Sequence, residues 1–197
     1  TGALKMVWII ARELAVTAAL AFVLACLVQM LRAPTGIPPA TAPVESSASF
    51  LAADLQAARE NPYPRSVVVT ANQANNFLAA RLSPGTSEGW PPVTFARAFV
   101  VPGNGDVIFR VQQAYLGLPV YLSLTLVPEH SNGGTTAKII AGKIGRLPVP
   151  DFLLPKFAAS FDPTFGALRG PADWFGSAES IVVTPEGATV NWRGKTH

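Results

Sequence analysis

Two hydrophobic rhythms divide this chain. From Leu14 to Met30 seventeen residues pass without a charge, with Thr17 and Gln29 as the polar interruptions. At about 1.5 Å per residue such a helix reaches ~26 Å, the lower end of a membrane span. Further on, the rhythm changes to strict alternation. PVYLSLTLV sets Val120, Leu122, Leu124 and Leu126 against Tyr121, Ser123 and Thr125, the pattern of a strand with one buried face. VTFARAFVV places Val93, Phe95, Phe99 and Val101 on one side with Arg97 as an interruption, and VIFRVQQAYL aligns Val107, Phe109, Val111 and Tyr115 after a PGNGD turn. EHSNGG, with His130 in it, reads as the next turn, and in TTAKIIAGKIGRLPVP the residues Gly142 and Gly145 bend the strand or mark a bulge. SVVVT is a short strand, and SIVVTPEGATVNW is a closing hairpin around Pro185-Glu186-Gly187.

Helical spacing fills the intervals. Ser46 or Ser47 is suited to cap a helix whose stripe is Phe50, Leu51, Asp54, Leu55 and Ala58, and Asn61-Pro62-Tyr63-Pro64 stops it. Thr70 caps ANQANNFLAARL, which ends before Ser83-Pro84-Gly85. DFLLPKFAASF reads as a helix kinked at Pro155. The order predicts an α+β chain: a transmembrane helix at residues 1–32, a Pro-rich linker at 33–49 that lifts the rest off the bilayer, and a domain at 50–197. In that domain a curved antiparallel sheet carries a few helices on one face.

The apolar run continues past Cys26 through Leu27, Val28, Met30 and Leu31, so it reads as a retained anchor and not as a cleaved signal. Lys5 and Arg12 precede it, and only Arg32 follows before Arg59. The positive-inside rule then puts the amino terminus in the cytoplasm of a bacterial inner membrane and the domain in the periplasm. On the helix Ala15, Ala18, Phe22 and Ala25 share one side and are expected to pack against other membrane helices.

Charge and chemistry narrow the function. From Ala33 onward twelve Lys and Arg face eleven Asp and Glu, a balance that argues against nucleic acid as a partner. The single cysteine lies in the apolar run, which rules out an intrachain disulfide and a multi-cysteine metal site. His130 and His197 are the only histidines; one falls in the expected turn and the other is the last residue. Asp151, Asp162 and Asp173 sit beside Pro, Phe or Trp, positions that suit caps and turns. No catalytic residue, cofactor or metal site is expected, so the chain reads as non-enzymatic.

VVVTANQANNFLAARL, the strand pair around GNGD, KIIAGKIGRLPVPDFLLPKFAASF and SIVVTPEGATVNWRG, in that order behind an amino-terminal helix, resemble the YpmS-like family of membrane-anchored extracytoplasmic domains over roughly Ser66 to Gly194. The resemblance implies a curved sheet with an apolar groove and an association with lipid, and it carries over no catalytic residue. Two functions follow as expectations. The first is an accessory or scaffold subunit that braces a larger membrane assembly, energy-transducing complexes foremost. Its partners would be other integral membrane subunits, and Trp90 and Trp174 its interface anchors. The alternative is a periplasmic module that binds a membrane lipid or isoprenoid in an apolar trough.

Overall fold

The computed structural model describes residues 2–39, 45–86, 92–131, 134–168 and 174–194; Trp90, Asp173 and His197 lie outside them. Helix α1 (Gly2–Leu31) contains one stretch, Ala11–Leu31, long and apolar enough to cross a membrane, and none of that stretch is buried in the protein. One of its last carbonyls, which no helix can satisfy internally, is met by the domain, as is a carbonyl just beyond the helix. Arg146 donates its backbone N–H to the Gln29 carbonyl at 2.9 Å, and its Nε to the Ala33 carbonyl at 2.9 Å. The segment after α1 therefore does not hold the domain away from the helix. It turns back onto the sheet, and a hairpin turn of the domain sits on the helix end.

The rest is α+β. Helix α2 (Glu45–Glu60) begins ahead of both expected cap serines, and its buried stripe is Ala48, Leu51, Leu55 and Ala58, with Phe50 turned outward. Strand β1 (Arg65–Thr70) leads directly into α3 (Ala71–Arg81). Thr70 closes a capping box there: its hydroxyl accepts from the Gln73 N–H, and the Gln73 side chain accepts from the Thr70 N–H. Thr70→Ala is expected to lower stability by about 1 kcal/mol, read as a shifted denaturant midpoint with an unchanged slope.

Strands β2 (Gly85–Thr86), β3 (Val93–Pro102), β4 (Val107–Tyr115), β5 (Leu118–Ser131), β6 (Gly134–Ile144) and β7 (Leu147–Pro148) form an open antiparallel sheet in chain order. A 3-10 turn (Asp151–Leu153) and two short helices, α4 (Leu154–Ala159) and α5 (Asp162–Ala167), follow. The chain closes with β8 (Ser180–Thr184) and β9 (Gly187–Trp192), and β9 lies between β1 and β8 in a second, three-stranded antiparallel sheet.

Two bulges correct the strand reading. The register slips between Phe95 and Arg97, so Val93 and Phe95 share the inner face with Ala98 and Val100, while Arg97, Phe99 and Val101 point to the outer one; one extra residue reverses every side chain beyond it. A second slip opposite Thr125 and Leu126 leaves Ile140 as the extra residue of β6. Gly142 is not the bulge. It gives room to Phe157 and Leu154, whose atoms lie 2.7 and 2.9 Å from where a Cβ would stand. Nor is Pro155 a kink, because it sits in the first turn of α4, where its missing N–H costs nothing. His130 is in strand β5 opposite Thr135, with Nδ1 3.1 Å from that hydroxyl; the expected turn is shorter than its sequence suggests. Asp151 and Asp162 open the 3-10 turn and α5, where a carboxylate suits the helix dipole.

Two cores result. One packs α2 and Phe77 of α3 on the three-stranded sheet through Val69, Val190 and Trp192. The other packs Leu78, Leu82 and Phe161 on the inner face of the six-stranded sheet, where Leu124 and Val111 are fully buried.

Candidate functional site

Between the two cores the sheets do not close on each other. The inner face of the six-stranded sheet supplies Val100, Val107, Phe109, Leu126 and Ile139, and α3 supplies Ala74, Phe77 and Leu78. Leu51 and Leu55 of α2, Ile181 and Val183 of β8, and Phe165 and Trp174 from the connection complete the wall of a cavity of about 700 Å³. Close-packed interiors leave few voids larger than a water molecule, whereas ligand cavities run from about 300 to 1,000 Å³. The polar side chains on this wall are the hydroxyls of Thr70, Thr135 and Thr136, and the Thr135 hydroxyl is already spent on the Ala178 carbonyl at 3.0 Å. The cavity has no charge on its described lining.

Local rules explain why the sheets stay apart. The PGNGD turn reaches the second sheet through the Gly105 N–H, which bonds the Val183 carbonyl at 3.2 Å, and Gly134 lies against the carbonyl of Gly176. These contacts fix the rim, while α3 lies against β1 of one sheet and β3 of the other.

On the outer face of the six-stranded sheet, Phe99, Arg110 and Ser123 are buried, although that face carries polar alternation. The chain after α1 covers them. Arg110 donates to the Thr35 carbonyl at 2.7 Å, and Arg97 to the Pro38 carbonyl at 3.2 Å while its guanidinium lies 5.0 Å from the Phe99 ring centre. Burial lowers the Arg110 pKa by desolvation. Its contacts are neutral carbonyls, not carboxylates. No signal in the sequence marked these contacts, because their acceptors are backbone carbonyls more than fifty positions away.

The expected site residues fall in different places. Ala15, Ala18, Phe22 and Ala25 lie exposed along one side of α1. Trp174 is half-buried with its ring 6.2 Å from Phe77, and its carbonyl accepts from Trp192 Nε1; it lines the cavity from inside. Among the described residues, no group of three or more His, Cys, Asp or Glu side chains could hold a metal ion.

Known proteins add no constraint to this geometry. No family model, no curated protein and no solved structure matches the chain.

Proposed function

We propose that this protein is a membrane-anchored, non-enzymatic module that holds the hydrocarbon chain of a lipid or isoprenoid in the cavity between its two sheets. The observation that carries this reading is the cavity itself: about 700 Å³ of apolar-walled space in a domain seated on the end of a helix fit to span a bilayer. A bilayer is the nearest source of such chains. The basic residues ahead of the apolar stretch of α1 support an orientation with the domain outside the cytoplasm, on the periplasmic side if the membrane is a bacterial inner membrane.

The test is native mass spectrometry of the full chain released from its own membranes in a mild detergent, with extraction of whatever lipid stays bound. One lipid per protein is expected. Ala74→Trp, which pushes an indole into the cavity, should reduce bound lipid at least about tenfold, equivalent to ~1.4 kcal/mol. Thermal stability should hold, because a void is filled and no packed residue is displaced. Protein that is free of lipid in its native state, or an Ala74→Trp variant that retains lipid fully, would overturn the proposal.

A second reading, an accessory subunit of a larger membrane assembly, draws support from the side of α1 that carries Ala15, Ala18, Phe22 and Ala25, exposed along its length. Small residues at that spacing permit close helix approach. Stoichiometric comigration with a defined complex, lost on Ala15→Leu with Ala18→Leu, would favour it.

A further inference from the structure

The inner face of the six-stranded sheet carries a second cavity, of about 790 Å³, at the end nearer α1. Strand by strand the two lie on one line. On β4, Val107 and Phe109 line the first cavity and Gln113 and Tyr115 the second; on β6 the corresponding residues are Ile139 and Ile144. The β6 end beside the second cavity runs into the turn that seats on Gln29 and Met30 of α1. Four residues of strand, ~13 Å at about 3.3 Å each, separate Phe109 from Gln113.

What divides them is an aromatic partition. Phe161 is 1% exposed and belongs to the same buried cluster as Ala98, Val111 and Leu124 of the floor, while Phe157 and Leu154 stand over Gly142 beside it. The Phe161 ring meets Phe157 of α4 at 5.5 Å, Phe165 of α5 at 6.0 Å and Phe109 of the floor at 6.1 Å. Phe157 faces the membrane-side cavity and Phe165 the other. Phe161 lies in the connection between the two six-residue helices α4 and α5, so no β ladder runs through the partition itself.

The two chambers differ in chemistry. The inner one has no charge on its described lining. The membrane-side one has an apolar floor rimmed by Arg81, Ser83, Gln113, Tyr115, Ser160 and Thr164, a cation with neutral donors and no carboxylate among the described lining residues. Arg81 has no ion-pair partner among the described residues and rests 5.6 Å from the ring centre of Phe77, a residue of the inner chamber. One helix, α3, thus spans the boundary, with its apolar residues in one chamber and its cation in the other.

Resting on the lipid-holding reading above, we infer that the two cavities are the head and tail chambers of one trough for an anionic amphiphile. The negatively charged headgroup sits at Arg81 in the chamber nearer the membrane, and the hydrocarbon chain passes Phe161 into the inner chamber. A cation with no carboxylate beside it among the described residues and an uncharged slot for the tail favour a phospholipid of net negative charge over one whose headgroup also carries an ammonium that Arg81 would repel.

The full chain, reconstituted in phosphatidylcholine vesicles, tests this with photoreactive lipids. A diazirine at the tail end of phosphatidylglycerol should label peptides of the inner chamber around Ala74 to Leu78 and Ile139. The same group near the glycerol should label Gln113 to Tyr115. Tail labelling by phosphatidylglycerol should exceed that by the matching phosphatidylcholine about tenfold, because the choline ammonium repels Arg81 and finds no carboxylate on the described rim. Arg81→Gln should erase that preference, and Arg81→Lys should keep most of it. Equal labelling by the two headgroups, a preference indifferent to Arg81→Gln, or tails mapped to the membrane-side chamber would overturn the two-chamber assignment and leave lipid holding intact. Inner-chamber labelling by neither lipid would overturn lipid holding, and this inference with it.

Discussion

Phe161→Ala is expected to cost about 3–5 kcal/mol of domain stability, the range for removing a buried phenylalanine ring. The ring is almost wholly enclosed, with three other phenylalanines within 6.1 Å of its centre. The site cannot collapse to repair the loss, since its floor belongs to the β ladders of β3 to β6 and open cavities lie on both sides. Guanidinium unfolding of the full chain in detergent, followed by near-ultraviolet circular dichroism of the aromatic cluster, measures it. Phe161→Leu, which keeps most of the apolar volume, should cost less than half as much. A loss below about 1 kcal/mol for the alanine variant would mean that the ring fills little space.

Gly145→Ala is the second large effect, and it acts on the joint between helix and domain. Gly145 has φ +59°, a left-handed conformation that costs a residue with a Cβ about 1–2 kcal/mol. An added Cβ would also stand 2.6 Å from the Gln29 carbonyl and closer still to that of Met30. These carbonyls cannot retreat freely, because Gln29 is the acceptor for the Arg146 N–H. The β6–β7 turn should therefore come away from the end of α1, and the chain from Ala33 to Pro38 should lose its hold at Arg146. Limited proteolysis of the reconstituted protein is expected to show faster cleavage between residues 33 and 39, with the sheet core still resistant. Unchanged cleavage would show that the turn is not what holds the helix end.

The lipid-holding proposal and the joint are physically related. Because the hairpin turn sits on the helix end, the second cavity and the end of α1 both adjoin strand β6, and the cavities are held in a fixed relation to the apolar helix. A flexible spacer would have left that relation to chance.

Much of this was written in local pattern. The seventeen uncharged residues from Leu14 to Met30 made an apolar helix unavoidable, and the alternation in Leu118–Ser131 set which side of β5 is buried without regard to its neighbours. Thr70 with Gln73 fixed a helix start within four residues of chain. The segment DFLLPKFAASF was legible as helical, but not its division into a 3-10 turn and α4, nor that Phe161 in the connection to α5 would bring Phe157 and Phe165 together. The bulges at Ala96 and Ile140 were not legible, since an extra residue is defined by the partner strand it fails to match. The arginines gave no hint either: Arg97, Arg110 and Arg146 find their acceptors in residues 33–38, more than fifty positions away. The sequence by itself determined the apolar helix, the long strands and the inward face of β5, because each depends on neighbours within a few residues. Only the tertiary structure decided that β1 joins β9, that the linker covers the outer face, and that two sheets stand far enough apart to leave a trough. Those outcomes depend on which distant surfaces satisfy each other's hydrogen bonds and apolar area, a choice that local spacing does not encode.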